Sequence, residues 1–225
     1  MDSSSMDSNQ EHLERIPAGA LYLAGTLSIP ENARGMVLFP YGIESETRIS
    51  YTTGLAQLLQ QTGLATLLAD LLTAEEKALD AQSGFFRENI GIMQQRIIGI
   101  ADWLSEEART QNLRICYFGI DVTGAAALVA AVERPDLVVA VACMGGRIEL
   151  ARDYLSQVEA PTLLLVGEQD TAGIDADRQA LEQLHSNNKR LEVIKGAAKL
   201  FEQSQTQADV ARLAAQWFER HIGLG

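Results

Sequence analysis

Residues 113–133 read LRICYFGIDVTGAAALVAAVE. The first seven, Leu113–Gly119, are almost all apolar, which predicts a buried strand. An alanine-rich helical pattern follows without a linker and runs to Glu133. Only a sharp turn fits between two such segments. The stretch therefore predicts one strand–turn–helix unit of a parallel sheet.

The same alternation of strand and helix continues on both sides of this unit. Apolar strands are predicted at Val138–Met144 and Thr162–Val166, and the strongest helical pattern spans Asn89–Arg109. Leu21–Ile29 is predicted as an edge strand, and the acidic stretch Leu71–Phe85 as an exposed loop or a short helix. We expect an α/β domain with a mostly parallel sheet of about seven strands and helices on both faces.

The net charge and the distribution of apolar residues exclude several classes of function. The chain has 225 residues and a net charge of −12, which disfavours nucleic acid and anionic membranes as partners. No apolar run is long enough to cross a bilayer. Residues 1–15 are predicted to be a disordered leader and residues 16–225 a single domain. Without a signal-peptide pattern, the expected location is the cytoplasm.

No metal site or cofactor is predicted, because the histidines are scattered and the two cysteines lack ligand spacing. Cys116 and Cys143 each lie in an apolar run and are expected to be buried thiols.

Functional groups in such sheets lie beyond the carboxyl ends of the strands. Four turns occupy these positions, and each carries polar or small residues: 40–44, 119–124, 167–170 and 195–201.

In their order along the chain and in their local sequence motifs, these turns resemble those of the small single-domain hydrolases of the dienelactone hydrolase type, within the α/β-hydrolase superfamily. The resemblance extends from about Ala33 to His221. It implies a nucleophile at Asp121, a triad acid at Asp170 and a triad base at Lys199, where relatives carry Ser or Cys, an acid and His. It also implies a pocket at Tyr41, Gly42 and Val122. Two of the three catalytic positions are therefore altered, and so is the oxyanion loop.

An aspartate can act as a nucleophile, but the ester that it forms must then be hydrolysed by water that a near-neutral base activates. Two neighbouring carboxylates would favour the ammonium form of Lys199, which makes this lysine a poor base. We instead expect Lys199 to bridge Asp121 and Asp170 in an ion network.

The sequence therefore predicts a degenerate, non-catalytic hydrolase that binds a small ligand or a protein partner. Two alternatives remain open. One is an active ester or lactone hydrolase that uses Asp121 as its nucleophile. The other is an oligomeric or scaffold protein, in which an edge strand or an exposed helix matters, with a second copy of the chain as partner.

Overall fold

The computed structural model describes residues 11–42, 45–87, 89–198 and 204–223. In these residues eight strands form one sheet. They are β1 (Glu11–Ala18), β2 (Leu21–Ser28), β3 (Met36–Tyr41), β4 (Ala65–Asp70), β5 (Ile115–Ile120), β6 (Val138–Met144), β7 (Thr162–Gly167) and β8 (Lys189–Ile194).

Six helices and one 3₁₀ segment connect the strands. The helices are α1 (Glu46–Gln60), α2 (Ala74–Ser83), α3 (Ile90–Glu106), α4 (Val122–Glu133), α5 (Thr171–Gln183) and α6 (Ser204–Ile222), and the 3₁₀ segment spans Ile148–Gln157. None of the described helices combines the length and apolar character that crossing a bilayer requires.

The strand order across the sheet is β1-β2-β4-β3-β5-β6-β7-β8. β1 and β2 are antiparallel to their neighbours, and β3 to β8 run parallel. Two apolar cores cover the sheet, one beneath α3, α4 and α5 and the other beneath α1 and α6. Burial on both faces explains why the central strands are almost continuously apolar. The predicted fold class is confirmed.

Three details of the prediction were wrong. The sheet has eight strands rather than about seven, because residues 11–18 form β1. The last five residues of the predicted leader, 11–15, thus belong to the sheet, while residues 1–10 lie outside the described part. The edge of the sheet is β1, so the strand at Leu21 is an inner one. β1 escaped prediction because Ile16 is its only buried residue.

The acidic stretch after β4 contains the short helix α2. Thr73 caps this helix, since its side chain accepts from the Glu76 amide at 3.3 Å while the Glu76 carboxylate accepts from the Thr73 amide at 2.9 Å. Its acids are not simply solvated. Glu76 binds the Arg96 guanidinium, and Asp80 is buried and binds Arg87. The stretch is therefore fixed to the body of the domain.

Candidate functional site

The turn between β5 and α4 has the strained geometry of a nucleophile elbow. Asp121 adopts φ 54° and ψ −124°, a backbone conformation that residues other than glycine rarely occupy. Its amide donates to the Met144 carbonyl at 3.2 Å, and its carbonyl accepts from Gly124 at 3.1 Å and Arg147 at 3.3 Å. The elbow is thus held by the end of β6 and by the turn that follows it.

Small and hydroxyl side chains allow this turn. A Cβ atom on Gly119 would lie 2.5 Å from the Gly124 Cα, so only glycine lets the strand and the helix approach so closely. The buried Thr123 hydroxyl accepts from the Ile120 amide at 2.9 Å and donates to its carbonyl at 2.8 Å. Thr123 therefore ties the first turn of α4 to the end of β5.

The carboxylate of Asp121 is paired with a cation that the sequence had not singled out. Arg48 Nη1 lies 2.9 Å from Asp121 Oδ2. The Arg48 side chain is 17% exposed and that of Asp121 35%, so the pair lies at the mouth of the elbow rather than in the core. Arg48 is in the first turn of α1, where a cation opposes the helix dipole. That unfavourable position was the signal for a carboxylate partner.

Asp170 caps α5. Its Oδ1 accepts from the Gly173 amide at 3.0 Å. A Cβ atom on Gly173 would lie 2.5 Å from Asp170 Oδ2, so the glycine leaves room for the carboxylate. The triad-acid position thus has a structural role at the carboxyl end of β7.

Lys199 lies outside the described residues, so its predicted bridge between Asp121 and Asp170 remains a prediction. In the described part of the chain, the ion-pair partner of Asp121 is Arg48.

The predicted pocket residues lie at the ends of two neighbouring strands. Tyr41 ends β3, and its carbonyl accepts from Leu71 at 2.6 Å. Gly42 follows and is buried; its absent Cβ would meet Asp70 Oδ1 at 3.3 Å. Val122 begins α4, and amides in a first helical turn have no partner within the helix. In α/β-hydrolases such an amide and one from the loop after β3 form the oxyanion hole.

A second residue that the sequence did not reveal is Asp177 on α5. Its side chain is buried. Burial, and then the charges of Asp170 and Glu149, raise the pKa of Asp177 to about 7. The charged groups that act on Asp177 are therefore both acidic, although Glu149 is itself paired with Arg147.

Other candidate groups have structural surroundings. His221 is buried, with Nδ1 2.8 Å from the Trp217 carbonyl, and burial lowers its pKa. Cys116 and Cys143 are both buried, as expected. Among the described residues, no group of His, Cys, Asp and Glu side chains is arranged to hold a metal ion.

A mostly parallel sheet with a strained strand–helix elbow at its carboxyl edge defines an α/β-hydrolase-fold protein. The sequence model of the dienelactone hydrolase family matches residues 23–222, and the chain belongs to that family.

Comparison with solved structures supports the same fold. The structure is similar to the crystal structure of dienelactone hydrolase from Anabaena variabilis ATCC 29413, at 44% identity and a TM-score of 0.91, covering 95% of this chain and 99% of that one. Est1E from Butyrivibrio proteoclasticus shares only the fold, at 13% identity and a TM-score of 0.75, over 93% of this chain and 98% of that one.

A curated relative from Mycobacterium tuberculosis (strain ATCC 25618 / H37Rv) carries the name "Putative phosphoribosyl transferase Rv0571c". It is 38% identical over 208 residues, which is 92% of this chain and 46% of the relative. The chain thus spans about half the length of this relative.

Proposed function

We propose that this protein has lost the ester or lactone hydrolysis of its ancestors and binds a small ligand or a protein partner through the former active-site region. The observation that supports the proposal is the Arg48–Asp121 ion pair at the elbow. A cation fixed on the carboxylate competes with its attack on a substrate carbon.

The other former triad positions support the same proposal. Asp170 caps α5 through one carboxylate oxygen. Position 199 carries lysine where the family resemblance implies histidine. His221 does not replace that base, because it is buried and its Nδ1 contacts the Trp217 carbonyl. A nucleophile and its base act as a unit, so an aspartate without a near-neutral base stops at a covalent ester.

An active hydrolase with Asp121 as its nucleophile is the second candidate. It is favoured by the retained elbow strain and by the 35% exposure of the Asp121 side chain. The dienelactone hydrolase neighbour at 44% identity also supports hydrolysis as the ancestral chemistry.

Phosphoribosyl transfer is not assigned to this chain. The M. tuberculosis relative aligns with 92% of this chain. The dienelactone hydrolase family model matches residues 23–222 of the same chain, so the similarity to this relative lies mainly in the hydrolase domain. That relative has about as much additional sequence beside the shared region, and its name does not say which part carries the transfer.

The deciding experiment measures hydrolysis of short nitrophenyl esters and small lactones by the wild-type protein beside Asp121→Ala. We expect no turnover above the variant's background. Binding is measured in the same samples as a rise in melting temperature, since a ligand that binds only the folded state stabilises it. Turnover that disappears in Asp121→Ala would instead establish the second candidate.

A gain-of-function variant tests the ancestry. Asp121→Ser combined with Lys199→His restores a nucleophile and a base, and Asp170 stays in place as the acid that the family resemblance implies. We expect weak esterase activity, and none in either single variant, because the two groups act together. A folded but inactive double variant would mean that the oxyanion loop at Tyr41 and Gly42 has also lost its function.

A further inference from the structure

Strand β8 ends the sheet, and one side of its backbone faces away from every described strand. The Asn188 carbonyl accepts from the amide of Thr162, the first residue of β7, at 2.9 Å, and the Ile194 carbonyl accepts from the amide of Glu168, which directly follows β7, at 3.0 Å. The register between β7 and β8 is continuous. Because strand residues alternate, the even-numbered residues of β8 bond to β7 and the odd-numbered ones present N–H and C=O groups to the free side.

The side chains of β8 alternate in the same way. Arg190 and Glu192 lie on the α6 side, where they line a cavity of about 180 Å³ together with Trp217 and Arg220. Leu191 packs towards the opposite core, and Val193 is 42% exposed. Arg190 and Glu192 also form an ion pair within the strand.

These two alternations limit how a second β8 could pair with the first. A two-fold axis makes the pairing antiparallel and self-complementary. Hydrogen-bonded pairs must join odd-numbered residues, because only their backbone groups face outward. Within β8 (Lys189–Ile194), an axis at Leu191 or Glu192 pairs five residues of each copy, whereas an axis at Arg190 or Val193 pairs only three.

Charge and the number of paired residues separate these registers. An axis at Arg190 places two arginines opposite each other, and an axis at Glu192 places two glutamates opposite each other. With the axis at Leu191, Arg190 of each copy faces Glu192 of the other in a pair without backbone hydrogen bonds, where side chains approach most closely. Lys189 then faces Val193. Only this register is complementary at both charged positions.

We propose that β8 is a dimerisation edge, on which a second copy of this chain pairs antiparallel about Leu191 to form one continuous sheet. The Arg190 and Glu192 side chains of the two copies form a ring of four alternating charges on the α6 side. The opposite edge, β1, fits this role less well, since Pro17 has no N–H to donate.

Edge charges can also protect a strand from pairing, and that alternative predicts a monomer. Sedimentation of the wild-type protein from about 1 µM to about 1 mM, the range of weak to moderate affinities, separates the two. We expect a concentration-dependent dimer. A protein that stays monomeric throughout this range overturns the proposal.

Two charge variants test the register. Arg190→Glu leaves four carboxylates across the axis, and Glu192→Arg leaves four guanidinium groups. Each is expected to raise the dimer dissociation constant at least about tenfold, because like charges then face each other. When the two variants are mixed, each acidic position faces a basic one, so the mixture should recover the dimer as a heterodimer.

The matched control is Arg212→Glu, which breaks the exposed Arg212–Asp209 pair on the flank of α6 that faces α1. It should dimerise as the wild type does. Circular dichroism of every variant checks that it is folded. Charge variants that dimerise like the wild type, or folded variants that stay monomeric when mixed, would each refute the Leu191-centred pairing.

Discussion

The backbone of Asp121 stores strain that a substitution can release. Its φ of 54° and ψ of −124° cost a residue other than glycine about 1–3 kcal/mol. The alanine and glycine variants both lose the ion pair with Arg48. They differ mainly in this strain and in the extra chain entropy of glycine, about 0.5–1 kcal/mol.

We therefore expect Asp121→Gly to be more stable than Asp121→Ala by about 1 kcal/mol, measured by urea unfolding. The neighbouring residue supplies the control. Val122 is in α4 without a positive φ, so Val122→Gly should be less stable than Val122→Ala by about 0.5–1 kcal/mol. The same order of stability at both positions would show that the elbow is unstrained.

The sequence predicted the position of this elbow but not its electrostatics. Gly119 and the alanine-rich segment require a tight turn, and that requirement is local. The Arg48–Asp121 pair joins residues 73 positions apart, and which helix face meets which turn depends on packing of the whole sheet. Asp177 escaped for the same reason, because its burial and its two acidic neighbours come from different elements.

At the scale of the elements, α5 depends on its cap. Asp170→Ala removes the bond to the Gly173 amide and should cost about 1 kcal/mol. Gly173→Ala should destabilise through the same contact, because its Cβ would displace Asp170 Oδ2. The second substitution should therefore cost less in the Asp170→Ala background than in the wild type.

Chemical denaturation of the two single variants and the double variant measures this coupling. Gly99→Ala is the control, since Gly99 lies within α3 and its added Cβ would come no closer than 3.8 Å to Ala18. It should stabilise the protein by about 0.5–1 kcal/mol, the usual gain from glycine to alanine in a helix. Full additivity of the Asp170 and Gly173 substitutions would contradict the shared contact.

The sequence predicted the bounds of strands that are buried on both faces. It did not predict the edge strand β1, nor the polar contacts that hold helix α2. The strand at Val138–Met144 was predicted with the observed bounds, because apolar residues fill it. β1 has a single buried residue, so it lacks the usual alternation. The capping pattern of Thr73 and Glu76 was present in the sequence, but the ion pairs of Glu76 and Asp80 that fix α2 are tertiary.

At the scale of the whole molecule, charge is spread unevenly around the site. The chain carries a net charge of −12. The elbow acid is neutralised by Arg48, and α2 is held by Arg87 and Arg96. Asp177 has only acidic neighbours among the charges that act on it, Asp170 and Glu149. Its ionisation therefore affects the stability of the folded protein directly.

The sign of that effect follows from proton linkage. Burial and the two acidic neighbours raise the pKa of Asp177 to about 7 in the folded protein, whereas in the unfolded chain it ionises near pH 4. Between these values the folded state holds a proton that the unfolded state has lost. The free energy of unfolding therefore falls as the pH rises from about 4 to about 7.

Asp177→Asn removes this titration and keeps the shape of the protonated side chain. We expect it to resemble the wild type at pH 5 and to be more stable by about 2–4 kcal/mol at pH 8, measured by urea unfolding at both values. Asp175→Asn, at an exposed residue of the same helix, is the control and should show no such gain. An Asp177→Asn variant with the wild type's pH dependence would mean that Asp177 is ionised in the folded protein at neutral pH, and that the acidic side of the site is solvated.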